Sequence, residues 1–411
     1  MRLQTFAAAL FLIGTSAHAQ NVAIVNAKAW TLTGDAAIEN ATIVITDGKI
    51  SSVDASAAPP AGVRVIDAGG KPVTPGLMHP ATRLGLIEVS SATETVDHAA
   101  KAGAPGAGFD VQFAVNANSV LIDLARADGV TRALAYPSSS NTAPFAGSAS
   151  LLHLFEGGDV VEQARVAVFV TISNRSANST VGSRSAQWQL LRAALDTAKT
   201  PSTPGAARTA DSIALESIVQ GKAPLAISTN RESDLRQAIK LANDYGIRVV
   251  IVGGAEAWRV ADQLAVAKIA LILEPMSNLP ASFDELGSRL DNAALLRKAG
   301  LTVAMSLDGV QSYNAGLSIR EGAGLAVANG LSYIDGLRSI MSAPAEIWGV
   351  ADRFGTLEPA RDGDVVIWDG DPREPSSAPT TVLIQGREVS LTTHQTELRD
   401  RYMPAIKSLR P

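Results

Sequence analysis

Hydrolysis of a polar bond needs a nucleophile, a proton shuttle or a metal-bound water. The side chains for any of these are few here. The 411 residues contain no cysteine and five histidines: His18, His79, His98, His153 and His394. Without cysteine there are no thiol nucleophiles, disulfides, thiolate-bound zinc, iron–sulfur clusters or lipoprotein anchor. None of the histidines forms an H-x-H pair. Glu88, Glu94, Asp97 and His98 gather in EVSSATETVDHAA (88–100). That cluster reads either as a metal or acid–base group or as a solvated acidic loop, and charge in loops is usually solvated. His153 lies on an apolar run (SLLHLFEGG, 150–158) and reads as a satisfied core or edge residue. His394 reads as a solvated residue of the tail. No G-x-S-x-G elbow exists; Gly147-Ser148-Ala149-Ser150 lacks the spacing. Arg83 and Arg231 fall at predicted strand ends, where two guanidinium groups could hold an anionic small molecule such as a carboxylate. Tyr136-Pro137 and Ser138–Ser140 would line the same mouth.

Charge and targeting narrow the partners. Thirty-five basic and 40 acidic residues give a net charge of -5. No basic stripe suggests nucleic acid. Met1-Arg2, the apolar run TFAAALFLI (5–13) and Ala17-His18-Ala19 read as a secretory signal peptide cleaved before Gln20. His18 leaves with it, and the mature chain is left with four histidines. No later run reaches membrane-spanning length. The expectation is an exported, periplasmic protein with no membrane anchor.

Elements that would position these residues follow from periodicity. Residues 22–68 alternate apolar and polar, with Asp47-Gly48 marking a hairpin. The same style returns only in 364–372 and 381–390. Strands at both chain ends predict one small β domain built from both. Between them lie strand-like runs at 72–78, 131–137, 166–172, 224–228, 248–254, 270–275 and 302–308. Helix-patterned segments alternate with these at 119–127, 186–198, 232–244, 255–266, 292–298, 317–329 and 333–342. The alternation predicts an α/β fold: a (β/α)8 TIM-like barrel with a small β-sandwich domain formed from both chain ends. A doubly wound open sheet is the alternative, but no G-x-G-x-x-G follows the first strand. The predicted boundaries are 1–19 for the signal, 20–70 and 355–395 for the composite β domain, 71–354 for the barrel and 396–411 for a tail. Stretches 99–108, 174–185 and 200–207 read as loops.

This order resembles the amidohydrolase superfamily, and most closely its exported, imidazolonepropionase-like members. ENATIVITDGKISSVDA (39–55) and VIDAGGKPVTPGL (65–77) match the family's opening strands. MSAPAEIWGVADRFGTLEPARDGDVVIWDGDP (341–372) matches its close. The resemblance implies hydrolysis of non-peptide carbon–nitrogen bonds by a metal-activated water. Zinc or another divalent ion would be held at the carboxyl ends of the barrel strands by an H-x-H, two later histidines and an aspartate.

The ligand positions implied by the resemblance depart from that pattern. The family's PGLIDAHTHLG reads PGLMHPATRLG (75–85) here, so its two histidines fall on Ala81 and Arg83. PLAISTNRESDL (224–235) puts the next histidine on Ser228. VVIVGGAEAW (249–258) puts the last on Gly253. A strand-borne lysine to bridge two metals is missing; Lys222 precedes its strand and Lys268 lies in a link. SLDGVQSYNAG (306–316) keeps the catalytic aspartate as Asp308, which reads equally as a strand-end cap. One carboxylate is short of the three protein ligands a catalytic zinc uses. The expectation is a barrel without a metal cofactor. Three readings follow: a silent subunit paired with an active homologue, a hydrolase with an unorthodox site around Asp308, or a periplasmic small-molecule binder using Arg83 and Arg231. A homo-oligomer or a hetero-oligomer fits the first. Intact mass of the protein recovered from an expressing bacterium's periplasm should correspond to a chain beginning at Gln20; a mass that includes Met1 contradicts the cleavage.

Overall fold

A computed structural model describes residues 21–100, 106–139, 144–200, 207–276, 280–306 and 313–408. The signal segment, Ser140 and Asp308 lie outside the described residues. The chain opens with β1 (Val22–Ala29), β2 (Ile38–Thr46), β3 (Lys49–Ala55), β4 (Arg64–Asp67) and β5 (Pro72–Pro75). Asp47 and Gly48 turn β2 into β3 with φ of 51° and 78°, the left-handed geometry a tight hairpin needs. Next come β6 (Leu77–Thr82), α1 (Val120–Ala127), β7 (Val130–Ala135), β8 (Phe145–His153) and β9 (Val161–Thr171). Three helices follow: α2 (Asn174–Ser179), α3 (Arg184–Lys199) and α4 (Ala210–Val219). Strand–helix alternation then runs through β10 (Leu225–Thr229), α5 (Glu232–Tyr245), β11 (Val249–Gly253), α6 (Ala261–Val266), β12 (Ala270–Leu273), α7 (Asn292–Lys298) and β13 (Val303–Met305). The chain closes with α8 (Ala315–Ala328), α9 (Tyr333–Arg338), α10 (Ser342–Trp348), β14 (Val365–Trp368), β15 (Pro379–Ile384), β16 (Arg387–Glu388) and α11 (His394–Ser408).

The strands form two sheets. The terminal sheet runs β16-β15-β14-β5-β1-β2-β3, with β4 also paired to β1, so both chain ends build it. Its core is Ile24, Ile43, Ile45, Val73, Val365 and Leu383 with their neighbours. The other sheet runs β13-β12-β11-β10-β9-β8-β7-β6. This is the expected TIM-like barrel. Ser306 Oγ donates to the Ala81 carbonyl at 3.0 Å across the seam between its last and first strands. Ser339 and Ile340 carbonyls accept from Met305 and Met78 along the same seam. Alternation sets the two faces. Met78, Leu134, Phe169, Ala226, Val250, Ile272 and Ala304 fill the interior. Leu77, Val130, Val170, Ile227, Ile251 and Leu271 pack outward against the helices. Both faces are covered, which is why these strands read as continuous apolar runs.

Three features differ from the sequence expectation. The run 72–78 is not one strand: β5 pairs with β14 in the terminal sheet, and β6 pairs with β7 in the barrel. Gly76 makes the break, and a Cβ there would fall 2.2 Å from Thr131 Oγ1. The segment 145–153, assigned to no element from sequence, is strand β8, which inserts antiparallel between β7 and β9. Stretch 174–185, expected as a loop, holds α2 and the start of α3, capped by the Ser173 and Ser183 hydroxyls.

One buried ion cluster fastens the terminal sheet to the barrel. Arg132 on β7 is fully buried. Its guanidinium donates to Asp364 at 2.7 Å, to Glu162 at 3.1 Å and to Asp362, and it lies 4.6 Å from the Phe354 ring. His153 Nε2 reaches Asp364 at 3.0 Å, and Lys49 Nζ reaches Asp362 at 2.5 Å. Burial works against the Asp364 carboxylate, but His153, Arg132 and the Gln385 amide hold its pKa at about 2. An unfolded aspartate titrates near 3.9, roughly two units higher. Asp364 therefore stabilises the fold by about 2 kcal/mol above pH ~4, and that contribution is lost as pH falls through about 2. Asp364→Asn should cost about 3 kcal/mol in urea unfolding at pH 7, because it leaves Arg132 buried and underpaired. Its stability should also vary less than wild type's between pH 4 and 2. A change below 1 kcal/mol would contradict the clamp.

Candidate functional site at the barrel mouth

In barrels of this kind the chemistry sits where the strands end, at their carboxyl face. Ala81 lies on β6, buried in the barrel interior, with a β-bulge between His79 and Thr82. Arg83 follows β6 directly, and its guanidinium carbon stands 5.6 Å from the centre of the Tyr136 ring. Tyr136 is itself buried against Phe169. Ser228 is the penultimate residue of β10, and Gly253 ends β11. Strand order puts β6 and β10 on opposite walls of the mouth. Arg231 forms the N-cap of α5, where its charge acts on Asp234 in the first helical turn. Burial pushes the Asp234 carboxyl up, opposed by the Trp188 indole N–H at 3.1 Å and by Arg184.

The other candidates disperse. His79 is buried on β6 opposite Ala133, a residue of the outer core. His153 lies in the clamp, as a satisfied core residue. The loop after β6 folds into a small ladder with a bridge between Ile87 and Val96. There Asn116 Nδ2 donates to Glu88 Oε1 at 3.0 Å, Glu94 sits in a 3-10 turn, and the His98 carbonyl accepts from Ser138. His394 is exposed at the start of α11, so the expected tail is a helix as far as Ser408. Among the described residues no group of three or more His, Asp or Glu side chains is arranged to hold a metal ion, and no barrel strand carries a lysine.

Gly253 shows why. Its φ is +99°, a conformation side-chain-bearing residues rarely adopt. A Cβ at 253 would fall 2.4 Å from Asn230 Oδ1 and 3.1 Å from the Thr229 carbonyl. Asn230 occupies that space on purpose-built contacts. Its Oδ1 accepts from the Ala255 amide at 3.2 Å, its Nδ2 donates to Glu285 Oε1 at 2.9 Å, and its carbonyl accepts from Glu256. Glu256 extends the network. Oε2 accepts from the Glu232 amide at 2.9 Å, capping α5, and Oε1 accepts from the Gly287 amide at 2.8 Å. Asp284 anchors the same 280–290 loop by accepting from the Asn174 amide at 2.9 Å and pairing with Arg184. An open cleft lies beside this network, lined by Ser173, Asn174, Arg175, Ser228, Asn230 and Glu274 among others. Asn230, Glu256 and Glu285 were not singled out from sequence. Asn230 and Glu256 do lie inside the two motifs quoted above, next to the substituted positions.

The four positions do not fit a metal ion. Ala81 and Gly253 carry no donor atom, Arg83 is a permanent cation, and Ser228 offers a neutral hydroxyl.

This architecture is that of a hydrolase-type barrel with a sheet domain made from its chain ends. The amidohydrolase family profile matches residues 185–394, just over half of the chain, and the chain belongs to that family. An amidohydrolase from Thermotoga maritima MSB8 superposes with a TM-score of 0.81 over 90% of this chain and 99% of that one, at 22% identity. A zinc-bound adenosine deaminase from Xanthomonas campestris superposes with a TM-score of 0.53 over 95% and 99%, at 16% identity. Both show the fold. Amidohydrolase tasK from Hapsidospora irregularis is 40% identical over 57 residues, which are 14% of this chain and only 6% of that protein.

Glu256→Ala should cost about 1–2 kcal/mol, since it uncaps α5 and orphans two amides. Hydrogen exchange at Glu232 and Gly287 should accelerate together. Unchanged protection at both would remove Glu256 from the frame of the mouth.

Proposed function

We propose that this protein is an amidohydrolase-fold barrel that works without the family's metal, as a binding or partner subunit rather than as a hydrolase. Family membership supports the coarser reading, a barrel of the type that hydrolyses carbon–nitrogen bonds. The observation that supports the finer one is Gly253: the ligand position carries no side chain, and its φ of +99° suits glycine. Ala81 and Arg83 likewise offer no ligand on the opposite wall. Such barrels keep their shape and their capacity to associate regardless of chemistry. The natural form of the proposal is a silent subunit paired with an active homologue in the periplasm, after cleavage behind Ala19.

A second reading is favoured by the retained cleft beside Ser228 and Asn230. It makes the protein a periplasmic small-molecule binder, with Arg83 offering its charge to an anion such as a carboxylate. Arg83 and Arg231 sit on opposite walls, so this reading rests on Arg83 alone unless a ligand spans the mouth.

Elemental analysis of the mature protein, as purified and after reloading with zinc, manganese or iron, separates these readings from catalysis. The expected metal content is far below one ion per chain. Stoichiometric metal together with amidase activity abolished by Asp308→Asn would overturn the proposal and leave the unorthodox hydrolase standing. Co-purification with a homologue carrying an intact H-x-H supports the silent subunit. An anion-dependent rise in melting temperature that Arg83→Ala removes supports the binder.

A further inference from the structure

At the foot of the barrel, the face opposite the mouth, three consecutive units close in the same way. After α5, α6 and α7 the chain makes one left-handed residue and one buried aliphatic residue before the next strand. The left-handed residues are Gly246, Lys268 and Gly300, with φ of 65°, 53° and 84°. The amides of Ile247, Ile269 and Leu301 then return to the carbonyls of Ala242, Leu264 and Leu296, closing each helix end. Glycine is the usual residue at such a position because it has no Cβ to clash. Two of the three units use it, and the third carries an exposed lysine. The chain bears a backbone cost at 268 that it avoids at 246 and 300. A cation can also favour a helix end by meeting its last carbonyls. Here the lysine follows α6, a helix of six residues, while α5, with fourteen, ends on glycine with no basic residue in its last turn.

Lys268 lines a cleft between the starts of β11, β12 and β13 and the end of α10. Val250 pairs with Ala270, so Arg248 and Lys268, each two residues earlier, stand side by side at neighbouring strand starts. Arg248 lines the same cleft and donates to the Ile347 carbonyl at 3.2 Å, which holds its guanidinium against the wall. Among the described residues neither cation has a carboxylate partner. Glu346 is the one acidic residue in the lining, and its Oε1 accepts from Thr302 Oγ1 at 3.0 Å. Much of the wall is apolar, with Val250, Ala265, Ala270, Leu301 and Ile347.

We infer that this foot cleft is a binding site for a small organic anion. The carboxylate lies between Arg248 and Lys268, and a short apolar body lies along Val250, Leu301 and Ile347. The guanidinium supplies paired donors and the ammonium a mobile point charge, a combination that suits one oxyanion. Two cations unmatched by carboxylates also stand out on a chain of net charge -5, where they make a local well for an anion. The site is separate from the mouth and does not depend on whether a metal binds there.

Hexanoate is the probe, titrated calorimetrically into the mature protein and followed by melting temperature at constant ionic strength. It should bind once per chain and raise the melting temperature as its concentration rises. Acetate has the head without the body, and hexanol the body without the charge; each should give a much smaller rise. Lys268→Gly should raise the ligand-free melting temperature by about 1–2 °C, because it relieves the left-handed residue. The same change should weaken hexanoate binding about tenfold, the loss of one charge-assisted contact. Arg248→Gln should weaken it to a similar degree. A ligand-free melting temperature that falls in Lys268→Gly would assign the lysine to the end of α6 and overturn the site. Equal responses to acetate and hexanoate would overturn the ligand class. A hexanoate response that survives both substitutions would overturn the site as well, and its removal by Arg83→Ala would then place the anion at the mouth.

Discussion

A guanidinium with no access to water is the constraint around which this molecule closes. Arg132 cannot lose its charge and cannot sit bare in a barrel interior, so carboxylates must be brought to it. Glu162 comes from the neighbouring barrel wall, but Asp362 and Asp364 come from a segment more than 200 residues further along the chain. Satisfying one side chain thus requires the end of the chain to return to the beginning of the barrel. The same return pairs β14 with β5 and completes the terminal sheet. Such a cluster adds little net stability over a well-packed apolar core. Its value lies in specificity, since misplacing the terminal segment would leave a buried charge unpaired.

The clamp and the mouth lie at opposite ends of the barrel and on different strands. Arg132 and Glu162 lie on β7 and β9 before those strands reach the mouth, with Trp348 and Phe354 sealing the interior on their side. Ser228, Asn230 and Gly253 lie where β10 and β11 run out. The frame in between is a doubly covered wall of apolar side chains that depends on neither end. That separation leaves residues at the strand ends free to vary while the barrel stays intact. A barrel fold tolerates altered chemistry at its strand ends because little of its burial is invested there.

Positive charge at the mouth comes from Arg83, which lies over the face of Tyr136, from Arg231 on the far wall, and from Arg175 in the lining of the cleft. Acidic groups near the cleft are engaged in the frame: Asp284 with Arg184 and the Asn174 amide, Glu285 with Asn230, Glu256 with two backbone amides. They position loops and caps and do not converge on a reacting centre.

Residue types and local spacing were enough to read the alternating middle and the paired strands at the two ends, and the family resemblance set Ala81, Arg83, Ser228 and Gly253 at its four histidine positions. Each of these is a property of a short window, set by the period of burial or by a motif compared position by position. Contacts between distant windows were beyond that reading. Local pattern made 72–78 one strand, but competition between β14 and β7 for its two halves divides it at Gly76. The segment 145–153 carried no assignment from its own pattern; only pairing with both β7 and β9 makes it a strand. His153 read correctly as a core residue, yet its partner Asp364 could not be named. Gly253 shows the division most plainly. Sequence shows that no histidine stands there, whereas the positive φ and the approach of the Asn230 oxygen arise from the meeting of β10, β11 and the mouth loop in space.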